Sequence, residues 1–129
     1  MASEFHIKPD EGLITVQIQG AVDLVEIFET ARDLHDHAEY DPALPLLVDL
    51  RGMRLALEQA ALKPFNRYII GHFGKSRSAS IAVVVDHEMD NDLCAAVYWL
   101  NCAVSGSEMF EDYDLALKWL IRREFATAL

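Results

Sequence analysis

Two near-continuous apolar runs constrain the fold more than any other feature of this chain: "PLLVDL" at 45–50 and "ASIAVVVD" at 79–86. Each is short and bounded by breakers or polar residues, the first by Pro45 and Gly52, and the second is rich in β-branched residues. A strand with one wet face alternates apolar and polar side chains. Unbroken runs instead suit strands buried on both faces, which implies parallel pairing with helices above and below.

The rest of the chain reads around that centre. "EFHIK" and "GLITVQIQG" alternate, with Phe5, Ile7, Ile14, Val16 and Ile18 on one face and Pro9-Asp10-Glu11-Gly12 as turn chemistry between them, so an antiparallel hairpin is predicted. From Asp23 the spacing becomes helical through Leu24, Ile27, Phe28, Ala31, Leu34 and Ala38, and Asp41-Pro42 ends it. A second helix is expected over 57–73, with Leu62, Phe65, Ile69 and Phe73 on one side and Pro64 as a kink or as part of a first turn. The acidic "HEMDND" after Asp86 suits the start of a helix over 93–104, since carboxylates favour the positive end of the dipole. A short strand near 107–110 and a last helix follow, with Asp112 or Asp114 at its start and Leu115, Trp119 and Leu120 on its apolar side. The order ββαβαβαβα predicts one α/β domain over residues 1–129. In it a mixed sheet begins as a hairpin and continues as parallel strands joined by right-handed helical crossovers.

Composition narrows the function classes. The 129 residues are 52% apolar and 25% charged, an ordinary globular balance, and no apolar run approaches the 18 or so residues of a membrane span. The opening "MASEFHIKPDEG" has neither the basic start nor the apolar centre of a signal peptide, so a cytoplasmic protein without stable membrane insertion is expected. Cys94 and Cys102 would lie about 12 Å apart along one helix, too far for a disulfide. A net charge of −10 argues against nucleic acid and anionic membrane surfaces. Against that average stands one basic segment, Arg51, Arg54, Lys63, Arg67, Lys75 and Arg77, which begins where the first apolar strand ends.

Taken together, the order of elements, the "LLVDLRGM" strand, the "FGKSRSASIAVVVD" approach to the next strand and the closing "MFEDYDLALKWL" resemble the SpoIIAA-like branch of the STAS superfamily. That superfamily includes anti-sigma-factor antagonists and the cytoplasmic domains of sulphate transporters. Phe110, Asp112, Ala116, Trp119 and Leu120 fit the branch's closing pattern of strand-end aromatic, acidic cap and Ala-Leu-x-Trp-Leu helix. The resemblance implies the fold and a binding or regulatory role. The antagonists carry a phosphorylatable serine in an Asp-Ser-Ser/Thr-Gly setting at the start of the helix after the third strand. Here the aligned stretch is "ALEQAA" at 56–61, which has no hydroxyl. Related branches bind lipid-like ligands, so a small apolar ligand is a second expectation.

Candidate site residues each carry two readings. Asp49 points opposite to Leu46, Val48 and Leu50, and a carboxylate near the carboxyl end of a parallel strand stands where open α/β sheets place their sites. Its plainer role is to bind nearby backbone N–H groups or to pair with Arg51 or Arg54. Arg51, Arg54 and Arg67 suit an anionic ligand or acidic partner, or simply the acidic first helix with Glu26, Glu29, Asp33, Asp36 and Glu39. "GHFGKSRS" is not a phosphate loop: position 69 is Ile, and the stretch leaves a helix and enters a strand. His35 and His37 give two half-sites on a solvated acidic face rather than a metal centre, so neither metal nor cofactor is expected. The helix "LCAAVYWLNCAV" is apolar nearly all round, and Tyr98 and Trp99 are of the type that anchors interfaces. The expectation is therefore a non-enzymatic binding or regulatory module. It would act as a homodimer or with a protein partner, with a carrier of a small apolar or anionic ligand as the alternative. A hydrolase using Asp49 with His72 or His87 ranks below both, because no nucleophile elbow or Cys/His pairing is present.

Overall fold

The computed structural model describes residues 2–55, 67, 80–86 and 107–128. Six strands in these segments form one sheet. β1 (Ala2–Lys8) and β2 (Leu13–Val22) make the expected antiparallel hairpin, closed by a single 3-10 turn over Pro9–Glu11. β3 (Leu46–Asp49), β5 (Ile81–Val84) and β6 (Ser107–Phe110) then add in parallel, in the order β1-β2-β3-β5-β6. The fold class is α/β with a mixed sheet, as the two apolar runs predict. The predicted helices over 57–73 and 93–104, with Tyr98, Trp99, both cysteines, His72 and His87, lie outside the described residues.

One strand is longer than its sequence suggests. β4 (Met53–Leu55) continues the line of β3 beyond a break at Leu50–Gly52 and pairs in parallel with the far end of β2, Gly20–Val22. Between the two pairings the third strand advances from Asp49 to Met53 while β2 advances from Gln17 to Gly20, so the break holds one extra residue, as in a bulge. Gly20 and Gly52 both sit at positive φ, 78° and 79°, and the Gly20 N–H donates to the Gly52 carbonyl at 3.0 Å. Both glycines would read as strand ends from sequence. Their left-handed backbone bends the strands without ending the pairing.

Helix α1 (Leu24–Asp36) starts at a complete capping box. Asp23 Oδ1 accepts from the Glu26 N–H at 2.9 Å, and Glu26 Oε2 accepts from the Asp23 N–H at 3.2 Å. It ends at Asp36, before the Asp41-Pro42 stop, where His37 turns to extended backbone and its Nδ1 accepts from the Glu39 N–H. Ile27 and Leu34 carry its buried stripe onto Ile14, Val16, Ile18, Leu46, Ile81 and Val83. Helix α2 (Tyr113–Ala128) lies on the opposite face, where Ala116 and Leu120 pack on Leu13, Leu47, Ala82 and Val84. Of the apolar residues expected on that helix, Leu120 is buried and Trp119 half-buried against Phe110, but Leu115 is 57% exposed. The inward stripe passes through Ala116, one position further on, because Ala116 and Leu120 are one turn apart and face the sheet together.

Candidate functional site

The chemistry-bearing side chains gather at the carboxyl end of β3. Successive residues of a strand point to opposite faces, so Leu46, Val48 and Leu50 face the α1 side while Leu47 and Asp49 face α2. Asp49 is 5% exposed, one of two buried polar residues among those described; the other is Ser80. Its burial is answered locally. Asp49 Oδ1 accepts from the Arg51 backbone N–H at 3.1 Å and from Arg51 Nε at 2.9 Å, and Oδ2 accepts from Arg51 Nη2 at 2.8 Å. The bend after Asp49 lets a residue only two positions away reach back as a fork onto both oxygens.

Arg51 in turn lies over the ring of Tyr113, 5.5 Å from its centroid, at the first turn of α2. Its hydrogen bond to Asp49 holds the guanidinium above its ordinary value; burial opposes this, and the charge of Asp49, then Tyr113 and Asp112, adds to it. Asp112 caps α2 through Oδ1, which accepts from the Leu115 N–H at 3.1 Å. On the other side of the bulge the Gly52 N–H donates to Asp86 Oδ2, 2.8 Å away, at the end of β5. The loop Leu50–Gly52 is thus tied at Asp49, at Asp86 and to β2. One side of Arg51 is fixed, while 45% of its side chain stays exposed.

This arrangement separates the sequence candidates. Asp49 and Arg51 come together, and the partner of Asp49 is Arg51 rather than Arg54. Arg51 is also turned toward α2 rather than toward the acidic α1. Arg54 and Arg67 are exposed, and among the described residues neither forms an ion pair. Tyr113 and Asp86 were not singled out from sequence. A signal for Asp86 existed, because "AVVVD" repeats the pattern of "LLVD", an apolar strand closed by a carboxylate. Tyr113 had no such signal, since its contact with Arg51 depends on how α2 crosses the sheet. His35 stands beside Asp36 and the ring of Tyr40, and among the described residues no three His, Cys, Asp or Glu side chains are placed to hold a metal.

Among the described residues the site offers little to acid–base chemistry. Both oxygens of Asp49 are engaged, and the buried hydroxyl of Ser80 precedes the start of β5, whereas Asp49 pairs with Val84 at its end. That difference is about 13 Å along a strand, well beyond proton-transfer reach.

No family model and no curated protein matches the chain. Solved structures do. An uncharacterized protein of the DUF3478 family with a SpoIIAA-like fold, from Shewanella loihica PV-4, superposes with a TM-score of 0.60 at 18% identity, over 92% of each chain. The fold is SpoIIAA-like. An anti-sigma factor antagonist from Mycobacterium paratuberculosis agrees equally well, with a TM-score of 0.60 at 17% identity and 92% coverage of each chain. In this SpoIIAA-like sheet the Asp49–Arg51 pair stands at the break between β3 and β4. Among the described residues no helix is long and apolar enough to cross a membrane.

Proposed function

We propose that this chain is a non-enzymatic regulatory module that works by binding protein, either a second copy of itself or another partner, without a phosphoserine switch. The observation that carries this reading is the state of Asp49. A buried carboxylate with both oxygens held by one arginine keeps a loop in shape; it is not a base awaiting a substrate proton. What the pair turns outward is the free edge of Arg51 beside Tyr113, and Arg and Tyr are enriched at protein interfaces. The neighbour described as an anti-sigma factor antagonist supports protein binding as a use of this fold. The absence of a hydroxyl at 56–61 supports binding that phosphorylation there does not gate. Arg54 and Arg67 add exposed positive charge for an acidic surface, and the sequence offers Tyr98 and Trp99 as apolar anchors.

Native mass spectrometry of the protein purified from cells, run beside a broad hydrolase screen of wild type and Asp49→Asn, tests the reading. The expected result is a mass of two chains, or of one chain plus a second protein, with no turnover that depends on Asp49. A bare monomer with hydrolytic activity that a folded Asp49→Asn variant lacks would overturn it.

A further inference from the structure

We propose that two copies of this chain associate through β1, edge to edge and antiparallel, about a two-fold axis at His6; the inference rests on the self-association half of the proposed function. β1 ends the strand order of the sheet, so its outer edge has no neighbouring strand among those described. The direction of its backbone groups follows from β2. The Ile14 N–H donates to the Pro45 carbonyl on the β3 side, so Ile14 and its partner Ile7 form a pair that exchanges no hydrogen bonds. By alternation Glu4, His6 and Lys8 bond to β2, while the N–H and C=O groups of Phe5 and Ile7 point outward along the edge.

An edge of this kind commonly protects itself with charge. β1 does carry charge, but as Glu4 and Lys8, opposite in sign and symmetric about His6. In an antiparallel pair centred on His6, Glu4 of each copy faces Lys8 of the other, so both charges are matched rather than repelled. The same register sets Phe5 opposite Ile7 of the second copy, with their outward backbone groups in hydrogen-bonding pairs. Both side chains are half-buried and lie against the α1-side core, so the pairing would continue that core across the axis. A register centred on Phe5 would instead set Lys8 against Ala2 and give it no counter-charge across the axis, only Glu11 of its own chain at 3.7 Å. Pro9, which has no N–H to donate, stops the pairing beyond Lys8. The self-complementary order Glu4-Phe5-His6-Ile7-Lys8 is what selects a second copy of this chain as the occupant.

Sedimentation velocity on the full chain tests the proposal with three variants, Lys8→Glu, Glu4→Lys and the double exchange, each checked for native circular dichroism. Wild type is expected to be a dimer. Each single change sets like charges face to face twice and should weaken it about tenfold or more, and the double exchange should restore it to within about threefold. A wild type that stays monomeric at about 100 μM overturns both this inference and the self-association half of the proposed function. A dimer indifferent to Lys8→Glu, or one that Trp99→Asp alone dissociates, overturns the β1 interface and leaves the proposed function standing. Single variants that weaken the dimer without recovery in the double exchange overturn the register.

Discussion

Thr15 and Leu47 are direct neighbours in the sheet, paired in register and pointing to the same side, yet Leu47 is completely buried under α2 while Thr15 is half-exposed. The next row repeats the contrast, with half-exposed Gln17 beside buried Asp49. One sheet thus contains two kinds of strand. In the hairpin one face is in the core, and of the other only Leu13, at the start of β2, reaches under α2, while Glu4, His6, Lys8, Thr15, Gln17 and Gln19 keep contact with solvent. In β3 and β5 both faces are covered, by α1-side residues below and α2 above. The difference explains why the hairpin tolerates polar residues at every second position, and why the one carboxylate in β3 needs a full set of partners. An ionised group loses its water on burial and must be answered by protein.

The sharpest way to break this comparison is at the two neighbours themselves. Leu47→Ala should cost about 3 kcal/mol, because it empties a site between the sheet and α2, whereas Thr15→Ala should change stability by less than about 0.5 kcal/mol. Urea unfolding of both variants measures this, and equal losses would mean that the second face of the hairpin is covered after all. Next in size is Arg51→Met, which leaves the Asp49 carboxylate buried with its fork of donors gone. About 2 kcal/mol is expected, less than for a fully enclosed pair because Arg51 is half-exposed. A loss within error of zero would mean that the loop supplies Asp49 with other donors.

Gly52→Ala comes third, at about 1 kcal/mol. Nothing lies within 4 Å of the added methyl, so the cost is that of holding an L residue at φ 79°. Thermal unfolding would read it, and an unchanged midpoint would argue that the bulge relaxes to negative φ. The smallest expected effect concerns pH. Since its neighbours raise the Arg51 guanidinium above its ordinary value, the stability it contributes is complete below the unfolded value and is lost only as pH rises through the folded one. Arginine titration should therefore add no slope to stability between about pH 6 and 9. Hydrogen–deuterium exchange or urea midpoints across that range would expose any slope that Arg51→Met removes.

Much of this architecture was legible locally. Alternation located the hairpin and its buried face from Phe5 to Ile18, and unbroken apolar runs located β3 and β5, because strand burial leaves its period in the residues themselves. The helix beginning at Asp23 and an acidic start of the last helix, at Asp112 or Asp114, were legible too, and the neighbours in structure bear out the SpoIIAA-like fold. Of the site, Asp49 with Arg51 could be written from sequence as one pairing among several. Its selection over Arg54 could not, since that depends on a bend of three residues.

What the sequence determined by itself was the pattern of faces: which residues are apolar, at what period, and where carboxylates stand ready to cap or to be paired. The tertiary structure decided what local pattern leaves open. It continued β2 and the third strand through Gly20 and Gly52, because a strand end is a fact about pairing and the partner lies more than thirty residues away in the chain. It set Tyr113 against Arg51, and turned Leu115 outward and Ala116 inward, because a helix's contacts follow from where it crosses the sheet. The carboxylate in "LLVDL" belongs to both accounts: the sequence put a charge into a buried strand, and the fold brought the arginine back to meet it.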